Sequence, residues 1–234
     1  MLEINDIHSY YGSSYILQGV SLNVEMREVV SLIGRNGAGK TTTLKSIMGI
    51  VRPAQGSIKF KGTEICGLKP HQIARIGLGY VPEDRRIYPN LTLKENLEVA
   101  QIKPCLGENK WNFEKVYQLF PQLRALREGR LGSNMSGGEQ QMLTIARTLM
   151  GNPEFILLDE PSEGLAPLVV SALAEAVNEI RAQGVSILLS EQNMKFATKT
   201  TTRSYLIDGG KISFEGTIED LMKNEGLVKQ HITL

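Results

Sequence analysis

The chain has 234 residues, 41% of them hydrophobic and 22% charged, and 26 Lys and Arg against 25 Asp and Glu leave a formal net charge of +1. That length supports a large buried core, while the near-neutral balance argues against a broad nucleic-acid footprint, which needs a strong basic excess. No apolar run approaches the roughly 18–20 residues of a membrane span, and Glu3 and Asp6 with no apolar segment behind them predict no secretory leader.

Residues 2–32 alternate short apolar runs with polar turns and read as strands, the last of which, Val29 to Ile33, is buried on both faces. It runs straight into GRNGAGKTT and then TTLKSIMGI, whose apolar positions recur at helical spacing. Residues 53–62 return to alternating strand with turn signals at both ends. From about Pro89 to Met150 the character changes, and ENLEVAQ, WNFEKVYQLFPQLRAL and SGGEQQMLTIARTLM all carry helical periodicity. After Gly151-Asn152-Pro153 the pattern predicts a strand FILLDE, a helix from about Leu168 to Gln183, a strand SILLS, a short helix, and a hairpin turning at Asp208-Gly209-Gly210. The outline is a parallel α/β core, residues 1–88 and 151–234, interrupted by a helical lobe over 89–150, with antiparallel strands near both ends. Cys66 and Cys105 lie far apart without metal or redox spacing and read as reduced thiols, and His8, His71 and His231 read as surface residues.

The segment GRNGAGKT fits G-x-x-x-x-G-K-[ST] without deviation. Its glycines let backbone N–H groups turn inward onto phosphate oxygens, and the helix that follows aims its positive dipole end at them. Gly34, Arg35, Asn36, Gly37, Ala38, Gly39, Lys40, Thr41 and Thr42 are therefore the expected phosphate contacts. Lys40 supplies a point charge to the terminal phosphates, and the Thr41 hydroxyl supplies an oxygen to Mg²⁺. FILLDE is an apolar strand ending in two carboxylates at the carboxyl edge of a parallel sheet, which suits Mg²⁺ chemistry. Asp159 is the expected ligand and Glu160, pointing elsewhere, the candidate base for an attacking water. Ser136-Gly137-Gly138 precede a clear amphipathic helix and form either an ordinary N-cap with flexible glycines or a second helix-terminal anion site. One nucleotide does not need two such sites, so the second makes sense if it closes over a nucleotide held by another copy.

With MSGGE at Met135 to Glu139, the continuation QQMLTIAR and FILLDE after it, the sequence resembles the ATP-binding cassette (ABC) family over essentially its whole length. The resemblance implies a P-loop, RecA-like α/β core with an antiparallel β-subdomain and an inserted α-helical subdomain. It implies two ATPase subunits, homomeric or heteromeric, sandwiching two ATP molecules head to tail, with Ser136, Gly137, Gly138 and Glu139 completing the partner's site. Tyr11, before the first glycine turn, takes the adenine-stacking position, with Tyr10 its competitor. Departures accompany the match. Glu83 stands where the family has a Mg²⁺-sensing glutamine, EGLA ends in Ala166 rather than aspartate, and Gln192, after Glu191, replaces the switch histidine. Gln192 can donate to a γ-phosphate but carries no charge.

Within the family, VPEDRRIYPNLT, EPSEGLAP and LLSEQN resemble the smaller of two paired ATPases in bacterial branched-chain amino acid importers, with urea and short-chain amide importers as the alternative and a soluble non-transport ABC ATPase behind them. The resemblance implies transmembrane permease subunits received at Asp84 to Asn96, a periplasmic solute-binding protein acting indirectly, no nucleic-acid partner, and a peripheral place on the cytoplasmic face of the membrane.

Overall fold

The structure is a computed structural model that describes residues 1–101, 110–126, 128–224 and 226–227. Strands β1 (Leu2–Tyr11) and β2 (Ser14–Val24) form a hairpin, and β3 (Val29–Ile33) leads into helix α1 (Lys40–Ile47). After β4 (Gln55–Phe60) and the short β5 (Thr63–Glu64) come α2 (Pro70–Arg75) and β6 (Leu78–Val81). The helical lobe holds α3 (Leu93–Glu98), α4 (Phe113–Leu119), α5 (Pro121–Arg124) and α6 (Gly137–Met150). The chain then returns through β7 (Phe155–Asp159), α7 (Pro167–Ala182), β8 (Ser186–Glu191), α8 (Met194–Thr200), β9 (Arg203–Asp208), β10 (Lys211–Thr217) and α9 (Ile218–Lys223).

Two sheets organise these elements. An antiparallel sheet has the order β2-β1-β4-β5, and a six-stranded sheet has the order β10-β9-β3-β8-β7-β6. In the second sheet β9, β3, β8, β7 and β6 run parallel and only the edge strand β10 is antiparallel. The C-terminal hairpin therefore widens the core sheet and is not part of the antiparallel one.

Successive residues of the buried strands face opposite sides. Val30, Leu32, Leu157 and Leu188 pack towards Leu44 and Ile47 of α1 and the antiparallel sheet's Ile4, Leu22, Ile58 and Phe60. Val29, Ile156, Leu158, Ile187 and Leu189 pack on the other side, against Leu173 and Val177 of α7 and the lobe's Met142, Leu143, Leu149 and Phe120. Both faces of the parallel sheet are covered, which is why its strands are apolar runs without polar alternation. Each such side chain contributes about 1.5–3 kcal/mol on burial.

The run WNFEKVYQLFPQLRAL, with its helical periodicity, folds as two helices. Phe120 breaks it at φ −124°, ψ 76°, and Pro121 opens the next one, because proline lacks the N–H that would continue the ladder and clashes with the preceding turn. His8 is half-buried rather than a surface residue: its ring lies 5.8 Å from Tyr15 in a stack, and Nε2 approaches Asp6 Oδ1 at 3.2 Å. His71 is exposed, while His231 and Cys105 lie outside the described residues. The Cys66 thiol is pushed up to about 11 by partial burial and by Glu64 beside it.

Candidate nucleotide site

The Val29–Ile33 strand delivers its loop to the carboxyl edge of the parallel sheet. Gly34 N–H donates to the Glu191 carbonyl at 3.3 Å, anchoring the loop to the end of β8. Gly39 caps α1 at φ 115°, a left-handed conformation that a side chain would strain, and a Cβ there would lie 2.9 Å from Leu17 Cδ2. The Ala38 carbonyl accepts from Gly210 N–H at 2.9 Å, so the turn between β9 and β10 buttresses the loop. Arg35, Asn36 and Gly37 stand exposed at its tip. Lys40 is only 3% exposed. Its ammonium curls back to the carbonyls of Gly34 (2.7 Å) and Arg35 (3.0 Å) and pairs with Glu160 Oε1 at 3.0 Å. A buried cation needs such partners, and a phosphate entering the loop offers equivalent ones.

Asp159 is fully buried and accepts three hydroxyls: Thr41 Oγ1 at 3.0 Å and Ser190 Oγ at 2.7 Å on Oδ1, and the Tyr80 hydroxyl at 3.0 Å on Oδ2. Burial, with the negative charge of Asp159 second, raises the Tyr80 phenol far above its ordinary range, so it stays a donor. Sequence reasoning missed Tyr80 and Ser190. Ser190 lies directly across the β7–β8 register from Asp159, and only the sheet order brings it there.

Glu160, one residue on, sits at φ 44° and donates its N–H to the Ser190 carbonyl and hydroxyl, both at 3.1 Å. This kink turns its carboxylate away from Asp159 and into contact with Lys40 and with Gln192, whose Nε2 donates to Oε2 at 3.0 Å. The structure thus brings Lys40, Glu160 and Gln192 together. Burial and the nearby Glu160 also hold the Glu163 carboxyl above its usual range.

Two hollows meet here. One of about 310 Å³ is lined by Asn36, Gly37, Gly39 to Thr42, Glu83, Glu160 and Ile16, a residue the sequence did not suggest. The other, about 560 Å³, shares Thr41 and Glu83 and runs past Asp159 and Tyr80 to Lys45 and Tyr11. Tyr11 reaches this cleft, whereas the ring of Tyr10 is stacked on Tyr15 with centroids 4.6 Å apart and planes 9° apart. Thr41, Glu83 and Asp159 offer a hydroxyl and carboxylates, the hard oxygen set that Mg²⁺ takes together with water.

Ser136 to Glu139 line neither hollow. Ser136 Oγ accepts from Glu139 N–H at 3.3 Å, and Glu139 Oε2 accepts from Ser136 N–H at 2.6 Å, a capping box at the start of α6. The hydroxyl is thus already engaged, and the N–H groups of Gly137 and Gly138, in the first turn, have no intrahelical acceptor. Arg85 crowds the same helix start, with Nη1 2.6 Å from where a Gly137 Cβ would stand, and its Nη2 donates to the Glu163 carbonyl at 2.8 Å. Ala166 caps α7 without a side-chain bond.

A β-strand, glycine loop and helix in this order, with an acidic strand end beyond one intervening strand, define a phosphate-loop nucleotide-binding protein with a RecA-like core. Sequence comparison carries this further. The family model described as ABC transporter matches residues 17–163, and the chain belongs to that family, as an ATP-binding subunit that hydrolyses ATP. It is 41% identical over 224 residues to the high-affinity branched-chain amino acid transport ATP-binding protein BraG of Pseudomonas aeruginosa, covering 96% of each chain. It is 36% identical to the lipopolysaccharide export system ATP-binding protein LptB of Haemophilus influenzae over 99% of this chain and 97% of that one. A probable branched-chain amino acid transport ATP-binding protein LivF of Archaeoglobus fulgidus matches at 32% over 98% and 97%. Among solved structures, an ATP-binding subunit of an ABC transporter superposes with a TM-score of 0.83 at 32% identity, covering 97% of this chain and 94% of that one. An ATP-binding cassette in its ADP conformation gives 0.83 at 25% identity over 98% and 97%.

Proposed function

We propose that the chain energises a membrane importer of branched-chain amino acids, as one of two ATPase subunits held against permease subunits on the cytoplasmic face of the membrane. The observation that carries this reading is the full-length likeness to BraG at 41% identity. A periplasmic solute-binding protein would act on it only indirectly, through the permease. The likeness to LptB supports a second reading, energising of lipopolysaccharide export.

In the proposed cycle ATP lies along the two joined hollows, its base against Tyr11 and its phosphates against the loop from Gly34 to Thr42. Lys40 exchanges the Gly34 and Arg35 carbonyls for phosphate oxygens, and in doing so leaves Glu160. The base is therefore freed by the nucleotide it acts on. Thr41, Asp159 and Glu83 would hold Mg²⁺, which when bound offsets charge on the β- and γ-phosphates. Glu160 takes a proton from the attacking water as the bond between the γ-phosphorus and its bridging oxygen breaks, releasing ADP and phosphate. Gln192 orients Glu160 and donates to the γ-phosphate. The free amides of Gly137 and Gly138, with Ser136 and Glu139 as their cap, would complete the site of the second ATPase subunit.

Deleting the gene in its source organism and restoring either the parent or Glu160→Gln tests the reading. Loss of labelled leucine, isoleucine and valine uptake, restored only by the parent, is expected. Unchanged uptake with a defect in lipopolysaccharide export would transfer the assignment to the second reading.

A further inference from the structure

We propose that Glu191 is the positioning residue that holds Gln192 against Glu160, an inference that rests on the roles given to those two residues above. Glu191 ends β8 and is 1% exposed. Among the described residues no Lys, Arg or His forms an ion pair with it, so it is a buried carboxylate whose charge is met only by hydrogen-bond donors. Its Oε2 accepts the backbone N–H of Gln192 at 3.1 Å and of Asn193 at 3.0 Å. Its Oε1 accepts the N–H of Ser162 at 3.2 Å. Asn193 Nδ2 closes the ring on Ser162 Oγ at 3.3 Å.

Ser162 stands two residues after Glu160, and Gln192 directly follows Glu191. One carboxylate therefore grips, from either side, the two segments whose side chains meet at 3.0 Å in the Gln192–Glu160 hydrogen bond. Its own backbone carbonyl receives Gly34 N–H, so the phosphate loop starts from the same point. An ionised carboxylate is the group suited to this place. It presents acceptor sites only, whereas an amide presents one oxygen and two donors. Burial pushes the Glu191 carboxyl above its ordinary range, against the pull of the Ser162 side chain and of the backbone N–H groups around it, so placing a carboxylate here carries a desolvation cost.

Glu191→Gln must turn its NH₂ towards either Ser162 N–H or the Gln192 and Asn193 pair, so one side of the grip opens whichever way the amide sits. Glu191→Asp, one methylene shorter, keeps the charge but spans only one side. The test is steady-state ATP hydrolysis by the complex purified from membranes, for the parent, each Glu191 variant, Gln192→Ala and the double variants. The expected result is a fall in kcat of roughly tenfold to a hundredfold for Glu191→Gln, the size of loss that about 1 Å of misplacement brings, with KM for ATP within about twofold because the backbone bond to Gly34 persists. In the Gln192→Ala background the same substitution should cost nothing further, the non-additivity of residues acting through one another. If Glu191→Gln fails to fold, Glu191→Asp carries the same comparison. A kcat within twofold of the parent in a folded Glu191 variant, while Gln192→Ala is impaired, overturns this proposal alone. An additive loss in the double variants overturns it too, leaving Glu191 a structural residue. Full activity of Gln192→Ala would instead remove the role of Gln192 on which it stands.

Discussion

Tyr80→Phe removes one oxygen from a buried contact and leaves the ring's volume unchanged. In the parent, Asp159 Oδ1 receives two hydroxyls and Oδ2 receives only that of Tyr80. Deleting the phenol leaves one oxygen of a fully buried carboxylate without a donor among the described residues. A hydrogen bond to a charged group contributes about 1.5–3 kcal/mol, and an abandoned acceptor keeps its desolvation cost. At roughly 2–4 °C per kcal/mol for a chain of this size, the nucleotide-free protein should melt about 3–12 °C lower. Saturating Mg²⁺ and ADP should then narrow the gap, since a cation at Thr41 and Asp159 offsets the charge of the buried carboxylate and so lowers the cost of its idle oxygen. Differential scanning calorimetry of both proteins, with and without Mg²⁺-ADP, measures each quantity. An apo melting point within 1 °C of the parent refutes the hydrogen-bond argument; a gap that stays constant or widens with Mg²⁺-ADP refutes the placing of the cation.

Glu160→Gln should bind ATP with near-parental affinity and lose turnover by at least about a hundredfold; single-turnover phosphate release checks it, and parental release would remove Glu160 as the base. Gly79→Ala puts a methyl 2.6 Å from Thr148 Cγ2, an overpacking of about 1–3 kcal/mol, visible as a lower melting point that Thr148→Ser restores by deleting the opposing methyl. In a Cys105→Ser background, alkylation of Cys66 should accelerate about tenfold per pH unit beyond pH 9, because its thiol is held at about 11. Levelling off near pH 8.5 would mean an ordinary thiol.

The parts of the fold legible in the sequence are those whose signal is local. The glycine loop, the doubly buried strands β3 and β7, the capped helix α6 and the β9–β10 turn each state their conformation within a dozen residues. The strand Leu78–Val81 was not legible. Four residues with a glycine carry too little pattern, and Gly79 makes sense only against Thr148 of α6. The short helix Pro70–Arg75 escaped for the same reason. At the site, Lys40, Thr41, Asp159 and Glu160 could be named from motifs, but Tyr80, Ser190 and Ile16 reach it only through strand order and register. The double role of Glu191 belongs to this second group, since Ser162 and Gln192 become neighbours only when β7 and β8 pair.

The hydrogen bond from Gly210 to the Ala38 carbonyl has a bearing on biosynthesis. The turn that braces the phosphate loop is made after it, Gly210 following Ala38 by 172 residues, behind the whole helical lobe. At about 5–20 residues per second, synthesis of the intervening chain takes on the order of ten seconds or more. Through that interval the loop exists as covalent sequence but not as a finished cradle. The brace on the phosphate loop is thereby deferred until the turn between β9 and β10 has been made.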